Sequence, residues 1–386
     1  MTDSPPSGPL EGVLVADFSR VVAGPYATML LGDLGADVIK VERPGAGDDT
    51  RGFGPPFIDG ESAYYLGINR NKRGVAWDLG TEDGRRKARA LADKADVVVE
   101  NFRPGTAARF GLGYHEVAET NPRVVYCSVS GFGTSGEGAA LPGYDFLVQG
   151  VGGLMSVTGD PGGEPRKVGV AVVDVLTAQF AANAILAALL ERERSGRGQR
   201  VEVTLLSSLL SALINQASTY LTTGHVPRAL GNRHPSIAPY ETLHAADRLL
   251  VVAVGNDTQF AALAETLGVG WMSTDDRFAR NAARVDNRTE MTAILQGELH
   301  RRPAAEWIPL IQAAGIPCGT VNDIAEAFAL AERVGLDPVV RLPRSGEARS
   351  AAAGEANGDA QVRNPMGFSR TPASYRIAPP LLGEHT

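Results

Sequence analysis

One carboxylate stands where it could do chemistry. Asp174 follows the small and apolar residues 168–173 and precedes residues 175–194, whose Ala- and Leu-rich pattern predicts a long helix. An acid at the start of a helix is most often a cap for the first-turn amides. In apolar surroundings the same group could be a nucleophile, beside amides that stabilise an oxyanion. The spacing is compatible with both roles.

Basic residues lie at the ends of several predicted strands. Arg43 and Arg103 each follow one, and Arg70 precedes one. Parallel strands bring such ends to one crevice, where cations suit a phosphate-bearing ligand. Solvated loop charges would give the same pattern, so these residues do not decide between a binding site and an ordinary surface.

A glycine motif at residues 131–136 has the spacing G-x-G-x-x-G and follows a predicted strand. The dinucleotide-binding interpretation requires a helix to begin there, so that its amides hold a pyrophosphate. Residues 137–143 predict a loop instead. We therefore expect an irregular glycine loop, which disfavours a nicotinamide-dependent oxidoreductase.

Other common catalytic groups are missing from the sequence. There is no Gly-x-Ser-x-Gly motif, and Cys127 and Cys318 are typical of small buried apolar residues. The six histidines have no metal-ligand spacing, so no metal site and no permanently bound cofactor is expected. They are found at positions 115, 225, 234, 244, 300 and 385.

Composition narrows the class of protein. The 386 residues are 44% hydrophobic and 21% charged, which excludes wholesale disorder, and the net charge of −7 disfavours a general nucleic-acid binder. The N-terminus has no basic and apolar signal pattern, and no uninterrupted apolar run reaches the roughly 18 residues of a membrane helix. We expect a soluble cytoplasmic enzyme that binds neither nucleic acid nor membranes.

Predicted strands alternate with helices along the first half of the chain. Such alternation indicates an α/β fold with a parallel sheet covered on both faces. The strands are predicted at 13–18, 37–42, 75–79, 96–100, 124–129 and 200–205, and the helices at 26–34, 82–94, 175–194 and 207–221.

The domain division follows changes in composition. Residues 1–224 predict the N-terminal part of a large domain, and 225–330 a smaller α/β domain that is rich in helices. Residues 331–386 are expected to return to the large domain. Within them, residues 345–361 are nearly free of large apolar side chains and predict a mobile loop.

The chain resembles the family III CoA-transferases, also called the CaiB–BaiF family. Each motif is weak alone, but their common order is specific and spans nearly the whole chain. The motifs are DFSRVVAGP at 17–25, GADVIKVERPG at 35–45, NRNKR at 69–73, VENFRPG at 99–105, GYD at 143–145 and PLLGEHT at 380–386.

The resemblance implies a Rossmann-like large domain, a small domain from the middle of the chain, and an interlocked homodimer. It also implies a CoA-transferase acting on an acyl-CoA and a small carboxylic acid, with CoA as part of the substrate. Asp174 would be the nucleophile, forming first an acyl anhydride and then a thioester with CoA.

Site residues follow from the same resemblance. Val21 and Ala23 would lie beside the thiol arm of CoA, and Tyr144 would border the reacting carbonyl next to Val22. The nucleotide and pantetheine would contact Arg43, Asn101, Phe102 and Arg109. A second carboxylate on the substrate would need a cation, for which Arg70 and Arg233 are candidates.

Substrate and reaction stay open at this point. Parts of the sequence resemble the branch that uses succinyl-CoA and a dicarboxylate such as glutarate. Racemases of α-methylacyl-CoA share the fold but carry Gly-His-Asp where this chain has Gly-Tyr-Asp at 143–145. Tyr144 thus replaces the histidine base, and a tyrosine is a poor base at neutral pH. A CoA-ester-binding protein without transfer activity is the remaining alternative.

Overall fold

The computed structural model describes residues 8–342 and 360–386. The loop predicted at 345–361 therefore lies outside the described residues, except for its last two positions. Those two, Ala360 and Gln361, belong to a short strand.

Thirteen strands and fourteen α-helices are found in the described residues. The strands are β1 (Leu14–Asp17), β2 (Asp37–Glu42), β3 (Phe57–Ile58), β4 (Glu61–Ser62), β5 (Lys72–Ala76), β6 (Val97–Glu100), β7 (Val125–Ser130), β8 (Arg200–Thr204), β9 (Tyr240–His244), β10 (Leu249–Ala253), β11 (Cys318–Thr320), β12 (Val339–Arg341) and β13 (Ala360–Val362). The helices are α1 (Ala23–Asp33), α2 (Ala63–Leu66), α3 (Glu82–Ala92), α4 (Thr106–Arg109), α5 (Tyr114–Thr120), α6 (Asp145–Val151), α7 (Val172–Ser195), α8 (Leu205–Ala212), α9 (Ile214–Thr223), α10 (Asp257–Thr266), α11 (Asn281–Asp286), α12 (Arg288–Leu299), α13 (Ala304–Ala313) and α14 (Ile324–Arg333).

Six parallel strands form the main sheet in the order β5-β2-β1-β6-β7-β8. Counted along the chain, these are strands 3-2-1-4-5-6, which is the order of the Rossmann fold. The predicted α/β class with a parallel sheet is confirmed.

The central strands β1, β6 and β7 bury both of their faces, as is usual in a parallel sheet covered by helices. Val15, Val97 and Val99 pack with α1 and α7, whereas the alternate residues Ala16 and Val98 pack with α3 and α5. This explains why these central strands are apolar runs without a polar face, whereas the edge strands β5 and β8 carry charged side chains. It also fixes the carboxyl ends of the strands at one edge, where the following loops meet.

Two compact units divide the chain. The first contains the main sheet and comprises the described residues up to Leu154, Lys167–His225 and those from Asp337 onward. The second comprises Met155–Arg166 and Val226–Leu336. Two segments of this unit differ from the sequence-based division, which placed Met155–Arg166 and residues 331–336 in the large domain.

An antiparallel sheet, β11-β10-β9, forms the centre of the second unit. Leu250 and Val252 of β10 pack against Phe260 of α10, Leu295 of α12 and Trp307 of α13. This unit therefore has an apolar core of its own.

The helix predicted at 207–221 is in fact two helices. Helix α8 ends at Ala212 and α9 begins at Ile214, whose φ of 39° is left-handed and interrupts the helical path. Helix α9 buries none of its residues. An apolar sequence pattern cannot reveal one residue of unusual backbone, which is why the break was missed.

Helix α7 is long and apolar enough to cross a membrane by length and composition, and among the described residues it is the one such helix. Counting uninterrupted apolar residues did not find it, because Asp174, Gln179 and Asn183 interrupt the apolar run. Half of its most apolar 18-residue stretch is buried, and residues such as Ala181 and Ile185 pack under the main sheet. This burial is typical of a core helix.

Both cysteines are poorly ionised. Cys127 is buried in β7, and burial raises the pKa of its thiol to about 12. Cys318 is half-buried at the start of β11, where burial raises the thiol pKa to about 11. The expectation that they are small buried residues rather than nucleophiles agrees with this environment.

Candidate active site

A cavity of about 420 Å³ lies within the first unit, at the carboxyl edge of the main sheet. Its walls come from the loops that follow β1, β6 and β7 and from the first turn of α7. The residues that line it include Arg20, Val21, Val22, Ala23, Asp49, Asn101, Phe102, Arg103, Gly131, Gly143, Tyr144 and Asp174.

Asp174 is a buried acid in the wall of this cavity. Only 9% of the residue is exposed, and its carboxylate has no hydrogen-bond or ion-pair partner among the described residues. Burial, with the nearby charge of Asp145, raises the pKa of Asp174 to about 7. The group is therefore a shielded carboxylate that is half ionised near neutral pH.

A different acid caps helix α7. Asp145 Oδ1 accepts hydrogen bonds from the amides of Val173 at 2.8 Å and Asp174 at 3.4 Å. These amides belong to the first turn, whose donors have no partner within the helix. Of the two roles compatible with the spacing, capping belongs to Asp145, and the side chain of Asp174 is left to the cavity.

The loop after β1 is held in a strained conformation. Val21 has a φ of 68°, which is rare for a β-branched residue, and its amide donates to Asp48 Oδ1 at 3.2 Å. Asn101 holds the preceding residue, Arg20, through two hydrogen bonds to its main chain. The loop thus presents Val21, Val22 and Ala23 to the cavity in a fixed geometry.

Buried ion pairs support that loop from below. Lys40 donates to Asp48 at 2.8 Å and to the carbonyl of Ser19 at 3.0 Å. Lys72 lies 3.1 Å from Asp17. Burial lowers the pKa of Lys72 to about 8, against the opposing effect of the Asp17 charge. The pair with Lys40 fixes Asp48, the acid that binds the Val21 amide.

The glycine loop predicted at 131–136 forms another wall. No α-helix begins after β7 until α6, which agrees with the loop expectation. Gly131 and Gly143 touch across it, since a Cβ on Gly131 would lie 2.6 Å from the Cα of Gly143. Glycine at positions 131 and 143 allows this close approach of two backbone segments, and no α-helix begins at the motif to bind a pyrophosphate.

Most of the predicted site residues lie together. Seven of them, from four separate parts of the sequence, line the cavity. They are Val21, Val22, Ala23, Asn101, Phe102, Tyr144 and Asp174. Arg43 and Arg109 lie outside the cavity lining, exposed on the surface of the same unit.

Arg70 does not line the cavity, which corrects its assignment to substrate. It is buried, and its Nε and Nη2 bind Asp33 at 2.8 and 2.7 Å in a bidentate ion pair. Its Nη1 also donates to the carbonyl of Val362 at 3.0 Å. With its donors used in this way, Arg70 ties the C-terminal segment to α1.

Arg233 belongs to the second unit, where its Nε lies 3.6 Å from Glu241. Glu241 is thus an ion-pair partner of Arg233 within this unit. The substrate role proposed for Arg233 therefore finds no support in its surroundings.

Two cations of the cavity were not among the predicted site residues. Arg20 lines it next to Asp49, 3.8 Å away, and Arg103 lines it from the loop after β6. Arg103 was visible in the sequence as part of a basic strand end, and Arg20 lay within a resemblance motif. Neither signal distinguished them from solvated surface charges.

The described residues contain no group of three or more His, Cys, Asp or Glu that could hold a metal ion. The cavity instead combines one shielded carboxylate, a strained loop at the start of α1, and exposed cations at its rim. Chemistry that attaches an acyl group to a carboxylate suits such a site.

Comparison with known proteins decides the family. The model of CoA-transferase family III matches residues 10–386. The chain belongs to the family III CoA-transferases. The transferase is therefore an enzyme whose substrates carry CoA, and the relatives named below are CoA-transferases rather than racemases or oxidoreductases.

Individual relatives are similar to this chain over nearly its whole length. The succinate–glutarate CoA-transferase of Agrobacterium fabrum is 43% identical over 397 residues, covering 100% of this chain and 96% of the relative. Human succinyl-CoA:glutarate CoA-transferase is 39% identical over 378 residues, covering 98% and 84%. The crystal structure of a CaiB/BaiF family protein from Brucella suis has a TM-score of 0.85 at 40% identity, covering 98% of this chain and 97% of that one.

Proposed function

We propose that the transferase moves CoA from succinyl-CoA to a dicarboxylate such as glutarate, with Asp174 as the nucleophile. The observation that carries the mechanism is the shielded carboxylate of Asp174 in the cavity wall, for which the described part of the chain supplies no hydrogen-bond or ion-pair partner. The substrates are supported by the two glutarate-using relatives, which share about two fifths of their residues with this chain.

The reaction is divided into four exchanges at one side chain. The Asp174 carboxylate attacks the thioester carbonyl of succinyl-CoA, giving a mixed anhydride and CoA thiolate. The thiolate attacks the aspartyl carbonyl, releasing succinate and leaving a thioester between Asp174 and CoA. Glutarate attacks this thioester to form a second anhydride and thiolate. The thiolate then attacks the glutaryl carbonyl, which yields glutaryl-CoA and regenerates the carboxylate.

The surroundings of Asp174 suit these steps. A hydrated carboxylate is a weak nucleophile, and burial removes part of its hydration. The same exclusion of water protects an anhydride from hydrolysis. Main-chain amides at the start of α1, where Ala23 borders the cavity, are proposed donors to the oxyanion of the tetrahedral intermediate.

We propose that CoA extends from the cavity onto the surface. The strained loop at Val21 and Ala23 would contact the thiol arm, and Phe102 the pantetheine. The nucleotide would continue outward to the exposed guanidinium groups of Arg43 and Arg109. Arg20 and Arg103 line the cavity itself and would lie near the acyl end.

We also propose that the transferase is an interlocked homodimer. Helix α9 buries no residue within this chain, and its apolar Ile214 and Leu221 are 73% and 79% exposed. Phe146 and Val151 of α6 are more than half exposed as well. Apolar surface of this extent favours a second copy as its cover. Light scattering after size exclusion should give twice the chain mass, and a monomer at micromolar concentration would contradict the proposal.

The function is tested with succinyl-CoA, a panel of mono- and dicarboxylic acids, and mass spectrometry of the CoA products. We expect glutaryl-CoA, and no transfer by Asp174→Ala. Trapping with hydroxylamine during turnover should modify Asp174 in the wild type. Binding of CoA esters without product, or exchange of an α-hydrogen with solvent deuterium in the absence of an acceptor, would refute transfer.

A further inference from the structure

We infer that Asp145 is a positioning residue, which occupies the N-terminus of helix α7 and thereby leaves the carboxylate of Asp174 free to react. The inference rests on the proposed role of Asp174 as the nucleophile. It assigns a function to a residue that belongs to the GYD motif at 143–145 but was given no role by the resemblance.

The geometry around Asp145 fixes both of its oxygens. Oδ1 accepts from the amides of Val173 and Asp174, and Oδ2 accepts from Gln149 Nε2 at 2.7 Å. Gln149 is fully buried, and its Oε1 in turn accepts from the amide of Val168 at 2.8 Å. Gln149, on the same helix α6, thus orients the Asp145 carboxylate toward the first turn of helix α7.

Occupation of these amides matters because Asp174 stands in that same first turn. An acid there is normally stabilised by the free amides and by the helix dipole, which makes its carboxylate less basic. With Asp145 on the amides, the Asp174 side chain lacks this stabilisation. Its oxygens remain available to a thioester carbonyl in the cavity.

The charge of Asp145 acts in the same direction. Two carboxylates on adjoining helix starts repel each other while both are ionised. When Asp174 becomes an anhydride or a thioester, its charge is lost and the repulsion ends. Asp145 therefore destabilises the resting carboxylate relative to the covalent intermediates, and this favours attack.

Other charged and titratable groups also face Asp174, and the test must separate them. Arg20, Asp49, Arg103 and Tyr144 line the same cavity. On α2, burial and the charges of both carboxylates raise the pKa of Tyr64. None of these groups is hydrogen-bonded to the first turn of α7 among the contacts of the described residues.

Two variants test the inference. Asp145→Asn keeps an oxygen for the amides but removes the charge, so the acid limb of the pH profile of kcat/KM should shift about one unit toward lower pH. Asp145→Ala removes the cap as well, and kcat should fall about tenfold or more while the KM for succinyl-CoA stays within about twofold. Asp323→Ala, which removes an aspartate cap from α14, is the matched control and should leave both unchanged.

Trapping with hydroxylamine distinguishes the two ways of failing. If both variants keep the wild-type pH profile and kcat, and Asp174 is still labelled in the wild type, the role of Asp145 alone is overturned. Absence of label on Asp174 in the wild type would overturn the nucleophile and this inference together. If Asp145→Ala does not fold, the pH profile of Asp145→Asn decides.

Discussion

Both polar side-chain atoms of Asn101 bind the main chain of Arg20. Oδ1 accepts from the amide at 2.9 Å and Nδ2 donates to the carbonyl at 2.7 Å. The loop after β6 is thereby tied to the loop after β1, next to the strained Val21. Asn101 lines the cavity, but this double contact makes it a support for the proposed thiol-arm site.

Asn101→Ala should weaken that support. Loss of the two hydrogen bonds lets the Val21 loop relax, so we expect kcat/KM for succinyl-CoA to fall about tenfold, mainly through KM. Steady-state kinetics measure this. Asn121→Ala is the matched control, since Asn121 also donates to main-chain carbonyls, those of Ala92 and Ala95, but lies outside the cavity lining. An equal loss in that variant would point to general destabilisation.

Transfer should need Asp174 in its ionised form. Because burial and the Asp145 charge raise the pKa of Asp174 to about 7, the protonated and unreactive form dominates below that pH. We expect kcat/KM to rise about tenfold per unit up to pH 7 and then level off. Rates measured from pH 5.5 to 8.5 test this, and a flat profile down to pH 5.5 would contradict it.

The same shift predicts how stability depends on pH. The folded protein holds a proton on Asp174 that the unfolded chain releases near pH 4, so ionisation costs folding free energy as pH rises from about 4 to 7. Relative to Asp174→Asn, the wild type should lose on the order of 4 kcal/mol of unfolding free energy between pH 4 and pH 8. Urea unfolding at several pH values measures this difference, and an equal pH dependence in the wild type and Asp174→Asn would contradict the prediction.

Arg70 should matter for folding and not for substrate. Removing it leaves Asp33 buried without its bidentate partner, so Arg70→Ala should cost about 3–5 kcal/mol of unfolding free energy. Arg73→Ala breaks an exposed pair with Asp37 and should cost at most about 1 kcal/mol. Denaturant titration compares the two. A higher KM for glutarate at unchanged stability in Arg70→Ala would restore the substrate role.

Arg43 should act on the binding of CoA esters rather than on the chemical step. A contact to the nucleotide is made equally in the ground and transition states, so Arg43→Ala should raise the KM for acyl-CoA more than it lowers kcat. Arg301→Ala, an exposed arginine of the second unit, is the control. A drop in kcat at constant KM would argue against this role.

The main sheet could be predicted because its central strands β1, β6 and β7 are buried apolar runs, and most predicted ends lie within a few residues of the observed ones. Helix α6 was missed because it is short and follows a glycine loop. The capping by Asp145 could not be found either, since 28 residues separate it from Val173. Arg70 was misjudged for a similar reason, because its partner Asp33 is 37 residues away. The roles of Asp145 and Arg70 depend on contacts between residues that are distant in the sequence, and residue types alone do not reveal such contacts.

Burial of the two thiols has a practical consequence. Cys127 and Cys318 are the two cysteines of the sequence, and their raised pKa values leave almost no protein thiolate near neutral pH. The coenzyme released during turnover therefore meets no sulfur competitor from this chain when it returns to the activated carbonyl. A thiol-reactive dye added to the native enzyme should consequently report free coenzyme with little background from the protein itself.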